Sequence, residues 1–98
     1  MKKLFISQPM RGKTDGQIQA ERNVAIEKAK AFTGDDVEVL DTFFKDFDGN
    51  ALEFLGKSIM LLGKADVAFF APGWKDARGC CIEHECAVRY GVDTIEWE

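Results

Sequence analysis

No apolar run in this sequence of 98 residues approaches the length needed to cross a bilayer, so no membrane partner is expected. Met1-Lys2-Lys3 imitates the charged start of a secretory signal, but Leu4-Phe5-Ile6 is too short an apolar stretch to follow it. A basic stripe is also missing. Thirteen Lys and Arg stand against seventeen Asp and Glu, a formal net charge of −4, which argues against binding a nucleic-acid polymer. A small anionic ligand is still compatible with that balance, because one loop can be locally basic. Cysteine is scarce: Cys80, Cys81 and Cys86 are odd in number and two are adjacent, so they form no disulfide framework. They read as reduced thiols of a cytoplasmic protein. The single histidine, His84, lies among them, but the paired C-x-x-C spacing of structural zinc sites is absent, and neither a metal nor a cofactor is expected.

The nucleotide-binding signatures that are easiest to recognise are missing too. After the first apolar stretch the chain reads Ser7-Gln8-Pro9-Met10-Arg11-Gly12, which is not G-x-G-x-x-G. There is no phosphate P-loop, and Ser7-Gln8 lacks the acidic residues that a response-regulator receiver carries at this point.

What is present is a regular alternation. With 46% hydrophobic residues the chain is globular, and residues 1–98 make one domain. Lys3 to Ser7 reads as a strand. Thr14-Asp15-Gly16-Gln17 fits a capping box, and Ile18, Ala25, Ala29 and Phe32 then recur at helical spacing until Gly34. Val37 to Leu40 is a second strand. Asn50 to Glu53 is a second capping pattern, followed by Leu52, Leu55, Ile59 and Leu62 on one helical face and by Gly63. Asp66 to Ala71 is apolar on both faces after its first residue, as in a central parallel strand. A third helix from about Cys80 to Tyr90 and a last strand from Val92 to Trp97 complete a β-α-β-α-β-α-β order, which predicts a parallel sheet with right-handed crossovers.

Such a sheet gathers its strand ends along one edge, where ligands bind. Four segments meet there: Ser7, Gln8, Pro9, Met10 and Arg11; Asp41, Thr42, Phe43 and Phe44; Pro72, Gly73, Trp74, Lys75 and Asp76; and Gly79 with Glu83 in the first turn of the third helix. Polar anchors, aromatic faces, cations and carboxylates in one place suit a nucleoside or nucleotide. Glu83 shares a helical row with Cys80 and Ala87 and flanks a core stripe of Ile82, Cys86 and Tyr90. It is either a nucleophile or a carboxylate complementing the helix dipole. Glu85 points away and pairs with Arg89 at i+4. His84 reads as a surface or partly packed side chain. Trp74 follows Pro72-Gly73 in a turn where core packing does not demand it, so it is the better ring for stacking a base, with Phe43 second. Arg11 and Arg78 are either phosphate ligands or solvated cations, and Cys80-Cys81 is small, apolar helix packing.

Two blocks carry a family resemblance. Leu4 to Gly12 resembles a strand followed by "GPM-x-G". Ala65-Asp66-Val67, then Pro72-Gly73-Trp74, then Gly79-x-x-x-Glu83-x-x-x-Ala87, resembles a second block. Together they resemble the nucleoside 2-deoxyribosyltransferase-like superfamily, and most of all its small branch known as DUF4406, often found in phages and prophages. The resemblance implies a flavodoxin-like α/β/α fold with about four parallel strands in the order 2-1-3-4, self-association as a homodimer or larger homo-oligomer, and cleavage or exchange of an N-glycosidic bond. It implies that Glu83 attacks the anomeric carbon and holds the sugar covalently, since an oxocarbenium-like transition state favours a carboxylate on one face of the sugar. The position in a helix's first turn would help keep that carboxylate ionised.

The chain departs from the family pattern at two positions. Ala77 stands where the family has aspartate, or serine in its nucleotide hydrolases, and Ser58 stands at an acidic position. Asp76, beside Ala77, and Asp41 are the candidate replacements for the acid. Ser7, Gln8, Arg11 and Gly79 would position the ligand. A non-catalytic module that binds or sequesters a nucleotide is the second reading.

Overall fold

Side-chain alternation along four short strands and the burial of one face per helix produce the architecture. The computed structural model describes residues 1–42 and 47–97. In chain order they form β1 (Lys2–Ser7), α1 (Asp15–Thr33), β2 (Val37–Val39), α2 (Ala51–Leu62), β3 (Val67–Phe70), a 3-10 turn (Trp74–Asp76), α3 (Arg78–Arg89) and β4 (Asp93–Glu96). All strand pairs are parallel, in the order β2-β1-β3-β4, as expected. No helix among the described residues is long and apolar enough to cross a membrane.

Local chemistry accounts for the helix boundaries. Thr14 and Asn50 each close a reciprocal capping box, with Gln17 and Glu53 respectively. Gly34 ends α1 in the left-handed conformation at φ 69°, which costs glycine little. Only α3 starts without such help among these three: its N-cap is Ala77, and no side chain caps it.

Period-two alternation divides the core. Leu4, Ile6, Val67, Phe69 and Ala71 face α1, which meets them with Ala25 and Ala29, residues small enough for close approach. Phe5, Ala68 and Phe70 face the other way, toward Leu62 of α2 and Cys80 and Ala87 of α3. Among the described residues Ser7 and Glu83 are the buried polar ones.

Three sequence expectations are corrected. The α3 helix begins at Arg78, two residues earlier than its apolar pattern suggested, so Glu83 lies in the second turn rather than the first. Its buried row is Cys80, Glu83 and Ala87, while Ile82 and Tyr90 are exposed. Small Cys80 and Ala87 let the helix approach the sheet, and Ser7 gives Glu83 a partner there. Leu52, placed by spacing on the buried face of α2, is 75% exposed because it lies in the helix's first turn at the mouth of a cleft.

Candidate active site

The carboxyl end of β1 carries Ser7 toward α3, and the helix row carries Glu83 toward β1. The Ser7 hydroxyl donates to Glu83 Oε1 at 2.7 Å. Ser7 is 1% and Glu83 8% exposed, so this hydrogen bond is almost fully out of water. Burial raises the Glu83 carboxyl above its ordinary 4.5, and the bond from Ser7 opposes that rise. The direction is the reverse of that expected from a first-turn position, because the dipole's influence fades beyond the first turn. Burial likewise pushes the Cys80 thiol up, and the neighbouring Ser7 hydroxyl opposes that rise. Cys80, Cys81 and Cys86 are all free thiols, and Cys81 Sγ reaches Lys75 O at 3.1 Å, tying the 3-10 turn to α3.

Glu83 lines a cleft of about 660 Å³ at the carboxyl edge of the sheet. That is ample for a nucleoside-sized molecule. The segment after β1 contributes Gln8, Pro9 and Met10, and the end of β2 contributes Thr42. The opposite wall is the uncapped start of α3, with Ala77, Arg78, Gly79 and Cys80. Backbone N–H groups at such a start, with Arg78 beside them, suit an anion. Helix α2 supplies Phe54, Leu55 and Ser58. Ala77 and Ser58 thus both line the cleft.

Gln8 is held by a network that joins three segments of this edge. Its Nε2 donates to Ile18 O at 2.9 Å and to Glu21 Oε1 at 3.0 Å. Both Glu21 oxygens accept from Lys13 Nζ at 2.9 Å, and Lys13 also donates to Pro72 O at 3.1 Å. Gln8 Oε1 is buried with no hydrogen-bond partner among the described residues. An acceptor left so costs about 1–3 kcal/mol.

The remaining candidates lie elsewhere. Trp74 is a core residue, 8% exposed, contrary to its reading as a spare ring in a turn. Its ring lies 5.5 Å from Phe70 and stacks on His84 at 4.2 Å, and His84 Nε2 meets Glu96 Oε1 at 2.6 Å. Gly73, Trp74 and Asp76 line a separate hollow of about 260 Å³ with Lys75 and Trp97. Gly73, at φ 87°, makes the turn that sends Trp74 back onto the sheet. Asp41 and the exposed Arg11 do not line the Glu83 cleft, and Asp41 interacts electrostatically with Arg22. Phe43 and Phe44 lie outside the described residues. Glu85 pairs with Arg89 on the exposed side of α3, as spacing indicated. Among the described residues Glu83 is the one carboxylate lining the cleft. The aromatic that sequence reasoning missed is Phe54. Its only signal was its place one residue beyond a capping box, in a helix start that abuts the ligand edge.

No protein-family model and no curated protein matches the chain. Among solved structures it is similar in fold to a 2-desoxiribosyltransferase from Leishmania mexicana, with a TM-score of 0.66 and 18% identity over 99% of this chain and 64% of that one. The chain therefore spans somewhat less than two thirds of that protein's length. At this identity the likeness is one of fold, the flavodoxin-like α/β arrangement.

Proposed function

We propose that the cleft binds a nucleoside or nucleotide and that Glu83 cleaves or exchanges its N-glycosidic bond. The observation that carries this reading is the Glu83–Ser7 pair: a carboxylate buried at a sheet's ligand edge, held by one oxygen and lining a nucleoside-sized cleft. The fold likeness to a deoxyribosyltransferase supports it. In the first step a Glu83 carboxylate oxygen bonds to the anomeric carbon, and the C–N bond breaks with its electron pair leaving on the base. The base then takes up a proton. In the second step water or another base attacks the same carbon and displaces the carboxylate. Ser7 fixes Oε1, so the second oxygen is the attacking one. Phe54 offers the face against which a base can lie, while Arg78 and the start of α3 hold an anionic substituent.

The proton for the leaving base is assigned to Asp41 or Asp76. Asp41 stands one residue from Thr42, which lines the cleft. Asp76 stands one residue from Ala77, which also lines the cleft. A second reading, a module that binds or sequesters a nucleotide without reaction, is favoured by Ala77 and Ser58 in the cleft wall, where the family resemblance implies polar or acidic helpers.

Base release from a panel of 2′-deoxynucleosides and their 5′-monophosphates separates these readings. Catalysis requires release by wild type and a loss of at least about a thousandfold in Glu83→Ala. Binding that returns every ligand unchanged would establish the second reading. Equal release by both proteins would remove Glu83 from the chemistry.

A further inference from the structure

We infer that Lys13 and Glu21 are positioning residues, which hold one wall of the cleft in place from behind. The inference deepens the nucleoside reading of the cleft and rests on it for the choice of ligand. That wall is the stretch from Gln8 to Met10, between the end of β1 and the cap of α1 at Thr14. The segment's own backbone closes a turn, Lys13 N donating to Met10 O at 3.2 Å with Gly12 at φ 78°. Such a turn shapes the segment without tying it to the rest of the molecule. Side chains make the ties. Lys13 Nζ donates to both oxygens of Glu21 on α1 at 2.9 Å, and to Pro72 O, beyond β3, at 3.1 Å. Glu21 Oε1 also accepts from Gln8 Nε2 at 3.0 Å. An ammonium has three N–H donors, so all of those on Lys13 are engaged.

Neither Lys13 nor Glu21 lines the cleft. Their side chains are 20% and 15% exposed, so the pair is largely removed from water. Desolvation offsets most of the attraction in such a pair, and its net stabilisation is small. Its geometric effect is larger, because one ammonium fastens the segment after β1, helix α1 and the turn after β3 to one another. The Ser7–Glu83 pair is held differently, by the end of β1 and by α3. Releasing the clamp therefore moves Pro9 and Met10 away from the ligand and leaves Ser7 and Glu83 where they are. A wall displaced by about 1 Å forfeits roughly a quarter to a half of its dispersion contact, whatever the base.

The experiment compares wild type, Lys13→Met and Lys13→Arg in backbone NMR order parameters and in affinity for 2′-deoxynucleosides and their 5′-monophosphates. In Lys13→Met the order parameters of Met10 to Lys13 are expected to fall from about 0.85 to below about 0.6, while those of β1 and β3 keep their values. Affinity should fall about tenfold for every ligand that wild type binds, and the kcat of any base release should stay within about threefold. General loosening of the fold would not give that split. Lys13→Arg keeps a cation that can pair with both oxygens of Glu21, and it should lie within about threefold of wild type in affinity with the segment still ordered. If Lys13→Met does not fold, Glu21→Gln, which still accepts from Gln8 but removes the charge, carries the same expectations. Unchanged order at residues 10–13, unchanged affinity, loosening that extends through β1 and β3, or equal losses in Lys13→Arg would overturn the inference. Failure of wild type to bind any of the ligands would instead remove the nucleoside reading, and the order parameters would still decide whether Lys13 holds the wall.

Discussion

The two faces of one four-stranded sheet do different work. Toward α1 the strands present Leu4, Ile6, Val67, Phe69 and Ala71, and the helix answers with Ala25 and Ala29, giving an apolar layer. Toward α2 and α3 the alternate residues of the same strands present Phe5, Ala68 and Phe70, and then the pattern breaks. Ser7 ends β1 where another apolar residue would fit, and Glu83 replaces an apolar residue in the buried row of α3. The first face favours only the folded chain. The second keeps a carboxylate under stress at the sheet's ligand edge. Burial opposes its charge, and one hydroxyl partly offsets that. Groups held in that condition are characteristic of reactive sites.

Substitutions should separate the faces. Phe69→Ala, on the α1 face, is expected to cost the most stability, about 3–5 kcal/mol by urea unfolding, with no preference for any pH. Ser7→Ala is expected to cost about 1–3 kcal/mol near neutral pH, because it leaves the buried carboxylate without its donor. It should also raise the Glu83 carboxyl further, so the cost should shrink in acid. An equal loss at pH 4 and pH 8 would show that Ser7 matters only for packing.

Glu83→Gln should act in the opposite sense. The folded carboxyl sits above its ordinary value, so the unfolded chain releases this proton first as pH rises. Stability from this group is therefore full below about pH 4.5 and falls as pH climbs through the folded value. Glutamine cannot titrate, so the variant is expected to be more stable than wild type at pH 8, by about 0.5–2 kcal/mol, with the gain vanishing in acid. Glu85→Ala, two residues along and exposed, should leave the melting temperature unchanged at every pH. A loss there as large as that of Ser7→Ala would erase the contrast between the helix's two sides.

The parts legible in the sequence are those decided locally. Thr14 and Asn50 announce their helices by capping boxes, and the parallel sheet follows from the alternation of elements, while its strand order was implied by the family resemblance. What could not be read depends on partners in other elements of the fold. The buried row of α3 is chosen by Ser7, 76 residues from Glu83, and not by the apolarity of Ile82 or Tyr90. Trp74 looks spare in its turn because the surfaces that bury it, Phe70 and His84, belong to a strand and a helix on either side. Gln8 resembles any polar loop residue until Ile18 and Glu21 are seen to hold both its donors. The cleft itself emerges only when α2 and α3 are set side by side on the sheet.

Glu83 as nucleophile is most directly tested by trapping the glycosyl-enzyme. Incubation with a 2′-deoxy-2′-fluoroarabinosyl purine, whose fluorine slows the second step, should add the mass of one fluorinated sugar to the wild-type chain. Peptide mapping should place that mass on Glu83, and Glu83→Gln should take up none. An adduct on another residue, or base release in solution that proceeds equally well with Glu83→Gln, would contradict a nucleophilic Glu83.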